Sequence, residues 1–271
     1  MHMLYAYNEA TNGADLTWIQ SQKSFLAPIA ANLLTIANAT TLQLSTTDWA
    51  GSHRNQTSLA VQGAQALVAY GKLFNEPSFV SAGLALGKQL YEGGLGMNAQ
   101  RTHFTYLFGG LSSDDSYNVQ GAGLFLDRCL GLSTINPSAW ALEEEFYSTQ
   151  VTPLGLPYIG GFRSMGDGCN PHGGNLAITE WNMWATAGLT NTTLQEQLID
   201  GTYAFFTNKQ NQVPFPTRYC TKGQNEGVWQ LCRARSAVGS LFAPVLAAGA
   251  QSRDGAGIAR ACQANFGRWQ G

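Results

Sequence analysis

Four apolar runs with helical spacing begin near Thr57, Tyr117, Thr179 and Arg235, and these starts lie 60, 62 and 56 residues apart. A near-constant period of this size means one supersecondary unit repeated along the chain. A single helical hairpin cannot bury its own apolar faces and has to lean on its neighbours. Apolar periodicity places helices at roughly 14–35, 57–74, 77–92, 116–131, 137–149, 177–189, 192–208 and 235–250, with short helical remnants at both termini. Pro77 and Pro137 stand where a first-turn proline is tolerated, and Gly93-Gly94 follows a helix end.

The helices alternate in character. Segments 57–74, 116–131 and 235–250 carry small or apolar residues around most of their circumference, as helices packed on all sides must. Segments 77–92, 137–149 and 192–208 have one apolar stripe and one polar face. Inner and outer helices in alternation predict an all-α fold, either a closed (α/α) toroid or an open solenoid. The long, chemically varied connections favour the toroid, as a single domain over 1–271. The acid triplet Glu143, Glu144 and Glu145 falls on an outer helix and reads as a solvated face.

Composition narrows the function classes. Charged residues make up 12% of the 271, against about 25% in ordinary soluble domains, and the formal net charge is −2. Such a chain offers nucleic acid no electrostatic footprint. No apolar run approaches the roughly 18 residues of a membrane span, the stretch near Ala237 to Ala250 being broken by Ser240, Pro244 and Gly249. The opening MHMLYAYNEATNG reads as helix interior, with no visible signal peptide. Five cysteines show no CxxC pair, and His53, His103 and His172 are dispersed, so no metal site and no cofactor are expected. Turn-like residues 222–227 make Cys220 and Cys232 the candidate disulfide. Sequons at Asn38, Asn55 and Asn191 argue for a secreted glycoprotein.

Polar and aromatic residues cluster just ahead of each inner helix: STTDWAGSHRNQ at 45–56, SSDDSYN at 112–118, ITEWNMW at 178–184 and CRARS at 232–236. In a toroid the inner helices run parallel, so these clusters share one mouth and one pocket. Asp48 and Glu180 are the candidate catalytic carboxylates, since two acids in different environments can divide the roles of acid and base. The alternative is that Asp48, Asp115 and Glu180 are caps or first-turn acids that complement the helix dipole. Trp49, Trp181, Asp115 and Tyr117 are candidate substrate contacts, although tryptophans at helix ends also close cores. Arg235 can grip a substrate carboxylate or make a structural salt bridge. The glycine-rich stretch 160–175 is either an active-site loop or a plain connection. No GxSxG occurs, which sets aside a serine-triad amidase.

LSTTDWAGSHRNQTSLAVQG at 44–63 resembles the LSTDDFAGxxxxxTNLALKG stretch of the glutaminase A family of fungi and bacteria, in its C-terminal six-helical-hairpin domain. YNVQGAGLFLDRCLGL at 117–132, TQVTPLGLPYIGG at 149–161, ITEWNMWATAGL at 178–189, NQVPFPTRY at 211–219 and RARSAVGSLF at 233–242 continue the resemblance in order. It implies a six-hairpin toroid of the type shared with glycoside hydrolases, and a secreted enzyme converting L-glutamine to L-glutamate and ammonia. Asp48 matches the second acid of DDFAG, Glu180 replaces the aspartate of SDW, and Arg235 and Ser236 match ARS. Thr47 stands where the family has its first aspartate, and Ile178 where it has a lysine. Family members carry a β-rich region and further hairpins ahead of the stretch that starts here at Met1. The resemblance therefore predicts an arc of about four to five hairpins with some apolar helix faces uncovered. Three functions stay open: an amidohydrolase acting on glutamine, a glycoside hydrolase with paired carboxylates, and a catalytically silent binding domain.

Overall fold

The computed structural model describes residues 1–36, 43–44, 52–108, 121–158, 169, 175–209, 216–223, 225–230, 239 and 241–245. Among these residues the regular structure is nearly all helix. Three helices open the chain: α1 (His2–Ala10), α2 (Leu16–Ser21) and α3 (Lys23–Ile36). A short antiparallel hairpin follows, β1 (Gln43–Leu44) with β2 (Ser52–His53). Then come three helical pairs: α4 (Thr57–Phe74) with α5 (Pro77–Tyr91), α6 (Gly121–Cys129) with α7 (Pro137–Gln150), and α8 (Thr179–Gly188) with α9 (Thr192–Phe206). Strands β3 (Leu176–Ile178) and β4 (Arg218–Cys220) form a second antiparallel ribbon that frames the start of α8. The described part of segment 235–250 is helical, and Ala243 packs on Cys129 of α6 and Ala187 of α8.

Local chemistry sets the helix ends. Pro77 and Pro137 occupy the first turn of α5 and α7, where a missing N–H costs nothing. Asn136 caps α7 by accepting from Ser138 N at 3.0 Å, and Asn191 caps α9 by accepting from Leu194 N at 3.1 Å. Asn75 ends α4 in the left-handed region, at φ 53°.

The inner and outer helices separate by burial as the composition of their faces predicts. Fourteen of 18 residues are buried in α4 and nine of 10 in α8, against four of 15 in α5 and five of 14 in α7. The inner helices run parallel. Gly121 of α6 meets Ala185 of α8, and one turn further on Leu124 and Phe125 meet Gly188. Between α4 and α6, Gly123 lies against Val61, Gln65 Nε2 donates to Gly123 O at 2.7 Å, and Lys72 Nζ donates to Gly131 O at 3.2 Å. The starts of α4, α6 and α8 therefore lie at one end of the bundle.

Buried carboxylates tie the pairs together, and here the structure corrects the reading of the acid triplet. Only Glu145 faces solvent; Glu143 and Glu144 are buried. Glu144 accepts from Thr190 N and Asn191 N, both at 2.9 Å, and pairs with Arg128, which also donates to Gly188 O at 2.8 Å. It fastens α7 to the turn between α8 and α9. Glu143 accepts from Phe104 N at 2.9 Å. Asp127 of α6 accepts from Thr134 N, Ile135 N and Trp140 Nε1 at 2.9–3.0 Å, which joins α6 to α7. Burial raises the Asp127 carboxyl above the ordinary range, against the opposing pull of these donors. Charge number alone could not reveal this, because a carboxylate capping neighbouring N–H groups looks in sequence like one in water.

Two further expectations meet the structure here. Asn55 is buried with a positive φ of 57°, so this sequon is closed to glycosylation in the folded chain, whereas Asn191 is exposed and Asn38 lies outside the described residues. On α1 to α3, Met3, Trp18 and Phe25 are more than half exposed.

Gly83 of α5 sits where an added Cβ would come within 2.5 Å of Ala64 O of α4. Gly83→Ala is expected to lower stability by about 2 kcal/mol despite its better helix propensity, read as a lower midpoint in thermal unfolding. Glu144→Ala leaves the part-buried Arg128 guanidinium and two N–H groups without this acceptor and should cost about 3 kcal/mol or more, while Glu145→Ala changes stability by less than about 0.5 kcal/mol, both read in the same thermal unfolding.

Candidate active site

At the end where the inner helices start, the buried residues form a largely aromatic cluster: Tyr106, Leu107, Ala122, Tyr158, Cys169, Leu176, Ile178, Trp181 and Cys220, with Trp184 packed against it. The segments that carry the sequence candidates are anchored in or beside this cluster. Asp48 and Trp49 belong to the connection whose paired ends are Leu44 and Ser52, and the neighbouring His53 ring meets Tyr106 edge-on with centroids 5.8 Å apart. Asp115 and Tyr117 fall between Leu107 and Ala122, both cluster members. The glycine-rich stretch runs between Tyr158 and Leu176, with Cys169 held between them. Arg235 follows Gln230, whose N–H donates to Arg218 O at 2.6 Å. Asp48, Trp49, Asp115, Tyr117 and Arg235 themselves lie outside the described residues.

Glu180 and Trp181 are described. Glu180 is 3% exposed in the first turn of α8, and its carboxylate accepts from Thr179 Oγ1 at 3.1 Å. It does not cap the helix, since the N-cap is Ile178. It is a first-turn acid of the kind the helix dipole favours. Trp181 is buried at 4% exposure, with its ring edge-on to Trp184 at 5.0 Å, so it closes the core beneath the site.

The β3–β4 ribbon positions Glu180. Its register pairs Leu176 with Cys220, Ala177 with Tyr219 and Ile178 with Arg218. Alternation puts Leu176, Ile178, Arg218 and Cys220 on one face and Ala177 and Tyr219 on the other. The first face belongs to the aromatic cluster through Leu176, Ile178 and Cys220. The second is locked by Tyr219, which stacks on Phe205 at 3.7 Å, accepts from Asn182 Nδ2 at 3.1 Å and donates to Leu154 O at 2.5 Å. Burial holds the Tyr219 hydroxyl far above its ordinary pKa, so it stays protonated. The Thr179 N–H donates to Thr217 O at 2.9 Å, which joins the start of α8 to the ribbon.

The disulfide differs from the expected one. Cys220 pairs with Cys169, not with Cys232. A turn does follow Cys220, since Gly227 N donates to Cys220 O at 2.9 Å, but the Cys220 side chain lies on the cluster face, where Cys169 meets it. Cys232 lies outside the described residues. Sequence reasoning also passed over Arg218. Its signal was in the NQVPFPTRY stretch, where an arginine sits among strand-forming residues. No group of His, Cys, Asp or Glu able to hold a metal ion occurs among the described residues.

Parallel inner helices, each paired with an outer one, define an all-α helical-hairpin domain. The Glutaminase A six helical-hairpin domain family matches residues 1–245, and the chain belongs to it. Glutaminase A of Aspergillus oryzae is 30% identical over 122 residues, which cover 42% of this chain and 17% of that protein. The chain thus matches less than a fifth of the length of this curated relative. No solved structure matches the chain.

The Cys169–Cys220 bridge spans 51 residues and should contribute about 2–4 kcal/mol. A peptide map of the unreduced protein is expected to recover the Cys169 and Cys220 peptides linked, and Cys220→Ser should lower the unfolding midpoint; a Cys220–Cys232 peptide would contradict this arrangement.

Proposed function

We propose that the domain is a glutaminase-like amidohydrolase, releasing ammonia from L-glutamine at the end of the bundle where α4, α6 and α8 begin. The observation that supports this reading is that described neighbours of the candidate segments, His53 against Tyr106, Leu107, Ala122, and Ile178 just ahead of Glu180, belong to or pack on one aromatic cluster. Membership of the glutaminase A six-hairpin family and the likeness to an Aspergillus glutaminase support the choice of substrate.

Hydrolysis of an unactivated amide needs a base to take a proton from water, an acid to protonate the departing nitrogen, and donors for the developing oxyanion. Asp48 and Glu180 are the two carboxylates assigned to proton transfer, with at least one of them activating water. The positive ends of the helix dipoles at the helix starts suit the oxyanion, and Arg235 is the sequence candidate for the substrate carboxylate. No cofactor or metal is invoked. A secreted protein fits as well, since a buried disulfide forms in an oxidising compartment. No helix among the described residues is long and apolar enough to cross a membrane.

Ammonia release from L-glutamine tests the reading directly. Asp48→Asn should lower kcat by about a hundredfold or more, and Glu180→Gln should lower kcat/KM, both with an unchanged unfolding midpoint. Retained activity in both variants overturns the assignment, and release of reducing sugar from glycans in place of ammonia would favour a glycoside hydrolase.

A further inference from the structure

Two of the three sequons have a described acceptor, and the fold treats them oppositely. In the first, Asn55, Gln56 and Thr57 are all buried, at 7%, 0% and 0% exposure, and Asn55 O accepts from Phe108 N at 2.8 Å. In the second, Asn191, Thr192 and Thr193 are all exposed, as is Thr190 ahead of them. The main chain there is pinned from within the fold, since Thr190 N and Asn191 N both donate to Glu144 at 2.9 Å. The Asn191 side chain is engaged at one atom. Its Oδ1 accepts from Leu194 N at 3.1 Å as the cap of α9, while its Nδ2 donates to no residue among those described.

An N-linked sugar is joined through that nitrogen, on an asparagine two residues ahead of Ser or Thr with no proline between. We propose that Asn191 is an N-glycosylation site, filled in the secretory lumen. The co-reactant is a lipid-linked oligosaccharide pyrophosphate. Asn191 Nδ2 attacks the anomeric carbon of its first sugar: the N–C bond forms, the C–O bond to the pyrophosphate breaks, the lipid pyrophosphate departs with that electron pair, and the nitrogen gives up one of its two protons. The product is a secondary amide whose Oδ1 still accepts from Leu194 N, so α9 keeps its cap. The position also leaves the candidate site open. The inner helix α8 runs from the site end to Gly188, so the turn at Asn191 lies about 15 Å away, at the other end of the bundle. Transfer takes place as the chain enters the lumen, before it folds, and a sugar on Asn55 would then keep a buried residue out of the fold. The inference rests on the secreted reading above and is independent of the amidohydrolase one.

The test uses the 271-residue chain, expressed in yeast behind a cleavable secretory leader. Enzymatic release of N-glycans in heavy-oxygen water converts each asparagine that bore a sugar to an isotope-tagged aspartate, which peptide mapping reads site by site. The tag is expected on Asn191 and absent from Asn55 in the folded protein. Thr193→Ala should abolish the tag at Asn191 while leaving the cap in place, so that the unfolding midpoint of the deglycosylated protein is unchanged. Thr193→Ser should keep the tag at lower occupancy. Asn191→Asp, which lacks the acceptor nitrogen but retains a capping oxygen, should carry no sugar and should fold as the wild type does.

An untagged Asn191 in wild-type protein recovered from the secretory pathway, whether exported or retained in the cell, would overturn the proposal. So would a tag that persists in Thr193→Ala, or a tag on Asn55 in protein with the wild-type unfolding midpoint. Ammonia release from L-glutamine should be the same before and after the sugar is removed from the native protein. A change on removal would overturn the placement of the glycan away from the site. If the chain releases no ammonia in either form, the amidohydrolase reading falls, and the isotope tag still decides the glycan by itself.

Discussion

Parallel close packing of α4, α6 and α8 is the constraint from which the rest of the molecule follows. Glycines on α6 and α8 let these helices come together almost backbone to backbone, with Gly121 against Ala185 and Gly188 against Leu124 and Phe125. Helices locked in that way, all pointing one way, put their N-terminal ends in one plane. The described residues ahead of them, His53, Leu107 and Ile178, accordingly meet at one aromatic cluster although they are far apart in the chain.

Burying three helices so completely leaves the backbone groups of the connecting turns short of water. Asp127, Glu143 and Glu144 answer that shortage by accepting from N–H groups at 104, 134, 135, 190 and 191. Each carboxylate joins its helix to a neighbouring connection or turn, so α7 is tied both to α6 and to the turn ahead of α9. At the opposite end the ribbon and the Cys169–Cys220 bridge do comparable work. Tyr219 locks one face of the ribbon against α8 and α9, and Leu176, Ile178 and Cys220 on the other face join the aromatic cluster. Two scaffolds of different chemistry therefore hold the inner helices: hydrogen-bonded acids along them and a stapled ribbon at the start of α8.

Much of the fold was legible because it depends on short-range pattern. The span of α4 could be read to the residue, and α5, α7 and α9 to within two residues, because apolar periodicity, first-turn prolines and asparagine caps are local signals. Glu180 could be picked out because it opens an inner helix, whereas the burial of Arg218 could not, because it follows from pairing opposite Ile178 and not from anything next to it in sequence.

The sequence by itself determined the helical repeat, the division into inner and outer helices, and the family to which the chain belongs, since these are carried by residue order and by periodicity within one element. Only the tertiary structure decided which acids face water, which cysteine Cys220 meets, and that Arg218 is buried opposite Ile178. Those outcomes depend on contacts between residues about 40 to 50 positions apart, whose partners are chosen by the angle and depth at which helices and strands pack.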